Sequence, residues 1–238
     1  MKTQIIKKNL LNIFILGLLS ILNVEAQEIS NTSKKPYKSQ TYFSFGAGVS
    51  FLQGVPDNFY QDGHSNVQIG LMKELPFNKR LSFITGLELE RLTYNLDFYP
   101  LLDENNNNFI QAPDGIKYTR VFQNSLNISA QTRFYFRENS SKQTPNIFIQ
   151  TGLRGGYNLS TTFAYREDNQ NQTINLSEVA SPFNLQAELM LGFKGDYFEK
   201  LEILNASTFG LTYQFNSPIQ AGNVENIRPI NLTWRFLF

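Results

Sequence analysis

Residues 228–238 read Arg-Pro-Ile-Asn-Leu-Thr-Trp-Arg-Phe-Leu-Phe. Ile230, Leu232, Trp234, Phe236 and Phe238 fall on one face of an extended chain, and Asn231, Thr233 and Arg235 on the other, where Leu237 is the apolar exception. Alternation of period two makes a strand with two unlike faces. At the open end of a sheet in water, such a strand presents an apolar face and an unpaired edge, and both invite aggregation. A closed barrel in a membrane removes both problems: lipid covers the apolar face and the first strand pairs the edge.

The bulk numbers agree with a barrel. A chain of 238 residues suits one barrel domain. It has no cysteine, which excludes a disulfide framework, thiolate metal sites and a lipid anchor on an N-terminal cysteine. The mean hydropathy of −0.29 looks water-soluble, but half of every strand in a transmembrane barrel faces a polar interior.

The N-terminus reads as a targeting segment. Lys2, Lys7 and Lys8 precede an apolar run from Leu10 to Val24, too short to span a bilayer as a helix, and Val24-Glu25-Ala26 supplies small residues for cleavage. Residues 1–26 are therefore expected to be a signal peptide, and 27–40 a flexible periplasmic lead-in. Removing residues 1–26 takes three lysines and one glutamate from the chain's 21 basic and 20 acidic side chains, leaving 18 and 19. A net charge of −1 argues against nucleic acid as a partner. No later window approaches a spanning helix, so the mature protein crosses a membrane with strands.

Eight strands can be read between residues 41 and 238. They cover Thr41–Leu52, His64–Leu75, Leu81–Leu96, Thr119–Phe136, Asn146–Tyr165, Pro182–Lys194, Glu202–Phe215 and Arg228–Phe238. In the first, Phe43, Phe45, Val49 and Phe51 oppose Ser44, Gly46, Gly48 and Ser50. In the fifth, Ile147, Ile149, Leu153, Tyr157, Leu159, Phe163 and Tyr165 are expected to face lipid, opposite Gln150, Arg154 and Asn158. Connections alternate long and short: 53–63, 97–118, 166–181 and 216–227 are polar loops, while 76–79, 138–144 and 195–201 are turns. That alternation is expected when one set of loops faces outside and the other forms periplasmic turns. The fold class is therefore all-β, an eight-stranded antiparallel up-and-down transmembrane β-barrel.

A lipocalin-like soluble barrel would carry the opposite sense, with apolar residues inside. Two features favour the membrane. The polar faces hold Gly, Ser, Asn and Gln rather than the Lys and Glu of a water-facing surface. The apolar faces are uninterrupted and end on aromatics, such as Phe122 and Phe136 in the fourth strand.

Several segments resemble the small outer-membrane β-barrel domain family common in Bacteroidota, which includes PorT-like proteins. They are Phe45-Gly46-Ala47-Gly48-Val49, the strand Leu81–Leu89 after a Pro-Phe-Asn turn, the segment Asn146–Tyr157 and the terminal Phe238. The resemblance covers about residues 41–238 and implies a fold and an outer-membrane location in a Gram-negative bacterium. The terminal aromatic strand also resembles the signal read by outer-membrane assembly machinery, so that machinery and outer-membrane lipid are expected partners, with an envelope protein a further one.

The residues offering chemistry lie on inward faces: Glu88, Glu90, Arg133, Arg154, Glu188, Lys194 and Arg235. Charges in a lumen too narrow for bulk water must pair, so they are expected to form a structural network that fills the barrel. By strand order, Glu88 and Glu90 are expected to meet Arg133. His64, the single histidine, lies beside Asp62 and Ser65, but adjacent strand residues point to opposite faces, which argues against a catalytic triad. Asp103, Glu104, Asn105 to Asn108 and Asp114 do not follow an EF-hand spacing and read as polar loop. No catalytic residue, cofactor or metal site is expected. The reading is a non-enzymatic barrel with a filled lumen and a structural or recognition role through its outer loops. The alternatives are a PorT-like accessory barrel of a secretion system, a lipid-modifying enzyme and a narrow channel.

Overall fold

Alternating apolar and polar residues give strands whose two faces demand different surroundings, and a ring satisfies both at once. The structure is a computed structural model that describes residues 39–57, 61–101, 108–138, 146–195, 205–220 and 224–238. In chain order its strands are β1 (Gln40–Gln53), β2 (Gln61–Asp62), β3 (His64–Pro76), β4 (Leu81–Leu96), β5 (Phe98–Leu101), β6 (Asn108–Gln111), β7 (Lys117–Tyr135), β8 (Asn146–Glu167), β9 (Gln170–Asn175), β10 (Phe183–Lys194), β11 (Ala206–Gln214) and β12 (Arg228–Leu237). Eight of them form a ring, β1-β3-β4-β7-β8-β10-β11-β12, with every pair antiparallel and β12 returning to β1. Ala47 lies opposite Trp234 in the closing pair, and the backbones of Phe43 and Phe238 exchange two hydrogen bonds of 3.0 and 2.8 Å. No sheet edge remains open around the ring.

The faces separate as the alternation requires. Leu71, Leu153, Leu189, Leu211 and Trp234 are more than half or about half exposed outward, while Ser44, Gln186, Thr208, Asn231 and Thr233 are buried within. Outward aromatics gather at both ends of the apolar band. Phe134 and Phe136 meet edge to face near the short turns, and Tyr157 with Phe183 and Tyr213 with Phe215 do so towards the long connections. Aromatic girdles at both margins are what a lipid-spanning barrel carries.

The turn between β3 and β4 is set by Asn78, whose Oδ1 accepts hydrogen bonds from the backbone N–H of Arg80 (2.8 Å) and Leu81 (2.9 Å), an Asx turn. Beside it, Lys79 donates a 2.7 Å hydrogen bond to Glu138, which holds that exposed carboxyl below its usual range.

Three of the expected loops contain further strands, the shortest being β2 within 53–63, which pairs with β4. Residues 97–118 include the hairpin β5–β6, a separate two-stranded sheet, and 166–181 include β9, which continues β8 as a projecting hairpin. Polar composition does not exclude a strand when a neighbour supplies the ladder. The expected start of the seventh strand at Glu202, most of the turns 138–144 and 195–201, the segment 1–26 and most of 27–40 lie outside the described residues.

The fifth strand corrects the expected pattern. The pairing of β7 with β8 shifts where Asn124 faces Ser160 and Ser125 faces Asn158, so one extra residue sits on β8. This β-bulge reverses the alternation beyond it. Asn158 points in and Leu159 out as expected, but Phe163 is fully buried inside instead of facing lipid.

Candidate functional site: the barrel lumen

The inward faces of β4, β8, β10 and β12 bring five charged side chains together. Arg235 donates from Nη1 and Nη2 to the two carboxylate oxygens of Glu188, at 2.8 and 3.0 Å. Its Nη2 also donates to Gln68 at 3.0 Å, and its Nε lies 3.2 Å from Glu88. Arg154 Nη2 stands 3.4 Å from Glu88 and 3.6 Å from Glu90, and Nη1 stands 3.6 Å from Glu188. Amides and a hydroxyl add to the carboxylates' coordination: Glu90 accepts from Gln68 (2.7 Å), Asn127 (2.7 Å) and Gln186 (3.1 Å), Glu188 accepts from Gln131 (2.9 Å), and Glu88 accepts from Ser44 (3.3 Å). Buried charge is tolerated only when its remaining hydrogen-bonding capacity is met, which explains the Gln and Asn residues on these faces.

Room for these long side chains comes from small neighbours. Gly70 lies opposite Glu88, Gly152 opposite Glu188 and Gly46 opposite Arg235. At Gly70 the approach is close enough that a Cβ would sit 2.2 Å from the Leu87 carbonyl oxygen.

A second cluster lies nearer the short turns. Glu74 accepts from Arg133 Nη1 (3.0 Å), Tyr135 (2.6 Å), Tyr42 (2.9 Å) and Lys194 Nζ (3.1 Å). Arg133 also donates to Gln150 at 3.0 and 2.7 Å and lies 4.2 Å over the ring of Phe148. Gln150 in turn donates to Gln131, which reaches Glu188. The two clusters therefore form one continuous polar network. It holds four carboxylates (Glu74, Glu88, Glu90, Glu188) and four cations (Arg133, Arg154, Lys194, Arg235), so its formal charge balances.

This arrangement differs from the sequence expectation in one pairing and one residue. Arg133 meets Glu74, not Glu88 or Glu90. Its partner on β4 is the short Ser82, whereas Glu88 faces Asn127, six positions further along β7 and about 20 Å away at strand rise. The guanidinium instead reaches past β4 to β3. Glu74 is an addition to the expected set, although it shares the inward parity of Gln68, Gly70 and Met72. That parity was the available signal.

Above the network, towards the long connections, the lumen is closed by apolar side chains. Tyr94, Val121 and Phe163 from the barrel wall pack with Phe98, Phe109 and Leu176 from the connections. Phe98 meets Phe109 edge to face at 4.6 Å and stacks on Phe163 at 5.8 Å. A smaller cluster including Tyr42, Met72, Phe148 and Leu237 occupies the opposite end, which gives the apolar exception of the last strand its place. Arg133, Arg154 and Arg235 are fully buried between these clusters.

Outside the lumen, His64 and Ser65 come together, contrary to the opposite-face expectation. His64 Nδ1 lies 3.2 Å from Ser65 Oγ and accepts from the Ser65 backbone N–H at 2.8 Å. The contact forms because the backbone N–H draws the ring along the strand to its own successor. Both residues are solvent-facing and no described side chain orients the ring. Asp103, Glu104 and Asn105 to Asn107 lie outside the described residues, as does the side chain of Asp62. Among the described residues, no three His, Asp or Glu side chains are placed to hold a metal ion.

Comparisons with known proteins bear on the same architecture. A search of curated proteins finds no match. Among solved structures, the chain is similar to Ail, the attachment invasion locus protein of Yersinia pestis, at 10% identity over 83% of this chain and 97% of Ail, with a TM-score of 0.35. It is also similar to Neisserial surface protein A, at 10% identity over 84% of this chain and 98% of that one, with a TM-score of 0.41. The family model describing an outer membrane protein beta-barrel domain matches residues 23–216. That model does not single out PorT-like or Bacteroidota members. With a closed eight-stranded ring, a lipid-suited exterior and this match over most of its length, the chain belongs to the outer membrane protein β-barrel domain family and is an outer-membrane protein of a Gram-negative bacterium.

Proposed function

We propose that this protein is a non-catalytic outer-membrane barrel that works through the surface built by its long connections, and that its lumen is a structural filling. The observation that carries this reading is the solid interior. A balanced, buried ion-pair network and an apolar cluster follow one another along the axis, which among the described residues leaves neither a water-filled path nor an open ligand cage. The long connections are also ordered where described: β5–β6 forms its own sheet, β9 projects with β8, and Phe98, Phe109 and Leu176 pin the connections to the barrel top. An ordered platform is what a recognition surface needs, since ordering entropy is then met before a partner arrives. Residues 1–26 act in this account as a signal peptide and 27–40 as a periplasmic lead-in. The strand ending at Phe238 is the element engaged during assembly, and an envelope protein is the partner class for the platform.

The orientation is tested by single-cysteine labelling, which is clean because the chain has no cysteine of its own. Asp168→Cys lies at the tip of the β8–β9 hairpin and Asn78→Cys in the β3–β4 turn. A membrane-impermeant maleimide should label the first in intact cells and the second only after lysis. Labelling in the reverse order would overturn the outward placement of the platform.

A further inference from the structure

We propose that the outward wall formed by β4, β7 and β8, just beyond the apolar band at the long-connection end, binds the phosphate groups of an anionic lipid in the adjoining leaflet. On the outward face of β7, beyond Leu126 and Asn124, lies Phe122, whose ring carries the Arg91 guanidinium at 4.6 Å. Two residues further on the same face is Arg120, and beyond it Lys117 lies opposite Arg166 of β8. Between them opens an outward groove of about 440 Å³, lined by Tyr118, Arg120, Phe122, Ala164, Arg166 and Thr173.

Three observations point to a phosphate-bearing lipid. First, no ion pair joins Arg91, Lys117, Arg120 or Arg166 to a carboxylate among the described residues, although the same protein pairs every one of its buried cations. The buried Nε of Arg120 has no hydrogen-bond partner there. Second, the position is where the apolar band gives way to the headgroup layer, and the groove's walls offer aromatic and aliphatic surface beside the guanidiniums. Guanidiniums hold phosphate oxygens in a bidentate manner, and basic pockets at this depth select anionic headgroups. Third, the backbone is shaped for it. The β7–β8 pairing slips between Lys117 and Arg120, and Tyr118 takes φ 56, a left-handed conformation that costs a bulky side chain energy. The outcome is a tyrosine 64% exposed on the rim of the groove. Asp168, at the hairpin tip, lines an adjoining pocket with Lys117, Tyr118 and Arg166 and makes no ion pair with either cation among the described residues. The inference rests on the membrane location alone and stands whether or not the platform recognises a protein.

The test is a native mass spectrometry titration of the folded full-length mature protein with four probes: diphosphoryl lipid A, monophosphoryl lipid A, zwitterionic phosphatidylcholine and inorganic phosphate. Wild type should retain the diphosphoryl lipid in preference to the monophosphoryl form and both in preference to phosphatidylcholine, with free phosphate failing to displace them. Arg91→Gln should weaken the diphosphoryl lipid by about fivefold, and Arg120→Gln combined with Arg166→Gln by about 25-fold. Lys79→Gln at the opposite end should change nothing. Arg120→Lys combined with Arg166→Lys should bind more tightly than the double glutamine variant and keep the preference for phosphorylated lipid over phosphatidylcholine, which separates charge from folding. Equal lipid retention in wild type, Arg91→Gln and the double glutamine variant would overturn the proposal. So would displacement of the lipid by free phosphate, which would identify a simple anion site.

Discussion

Arg235 and Glu188 are joined by two hydrogen bonds, of 2.8 and 3.0 Å, although β11 lies between their strands and both side chains are buried. The pair spans the lumen rather than a strand ladder, so it ties together parts of the ring that do not neighbour each other. Replacing Arg235 with Met leaves three carboxylates facing Arg154 alone. Removal of one partner from a buried ion pair costs about 3–5 kcal/mol. Adding Glu188→Gln should recover much of that loss, because an amide can still accept and donate without an orphan charge. Urea unfolding of wild type, both single variants and the double variant in lipid vesicles checks this, and additive losses would show that the pair does not couple.

Arg133 belongs with Glu74. A double-mutant cycle between Arg133→Met and Glu74→Gln should give a coupling of about 1–3 kcal/mol. The same cycle between Arg133→Met and Glu88→Gln should give a much smaller one, since they connect through a chain of four residues, Gln150, Gln131, Glu188 and Arg235. A larger coupling to Glu88 would reverse the assignment made from the structure.

The lipid face can be probed at Leu189, which is 58% exposed near the middle of β10. Leu189→Arg should destabilise by about 2–4 kcal/mol if it lies near the bilayer midplane. Leu189→Met should cost less than about 1.5 kcal/mol. Equal stability of the arginine variant and wild type, measured by unfolding in vesicles, would mean that this face does not meet lipid.

Glycine in the lumen is graded by what a methyl group would meet. At Gly70 the new carbon would press on backbone, 2.2 Å from the Leu87 oxygen, so Gly70→Ala should cost about 1–3 kcal/mol. At Gly46 it would meet the Gln68 side-chain oxygen at 3.2 Å, a flexible neighbour, and the cost should be smaller. The same unfolding assay ranks the two, and the opposite order would contradict the packing described.

The barrel was legible because its cause is local. Residues 183–194 alternate without interruption, and a period of two is written in the chain before any partner is known. The inward parity of Glu88, Arg154, Glu188 and Arg235 followed from the same rule, and so did their need to pair. Their partners did not follow. Which guanidinium meets which carboxylate depends on stagger around the ring, and Arg133 crossing over Ser82 to Glu74 could not be read from strand order. The bulge between Asn158 and Ser160 leaves no mark in composition, so simple alternation puts Phe163 on the lipid face while the structure buries it inside. The apolar cap was hidden for a different reason: Phe98, Phe109 and Leu176 are isolated within polar loops and become a core only once the connections fold over the barrel end. Arg166 is likewise distant in sequence from Tyr118 and Arg120 and meets them only through the β7–β8 pairing.

Whether the barrel is solid is decided by single-channel recording in planar bilayers. The folded full-length mature protein should insert without resolved conductance steps at neutral pH, because the apolar cap around Phe98, Phe109 and Phe163 and the buried network beneath it leave no continuous water. Steady, voltage-independent steps from the wild-type barrel, shifted in ion selectivity by Glu88→Gln or Arg154→Gln, would contradict the account and make the same charges the lining of a pore.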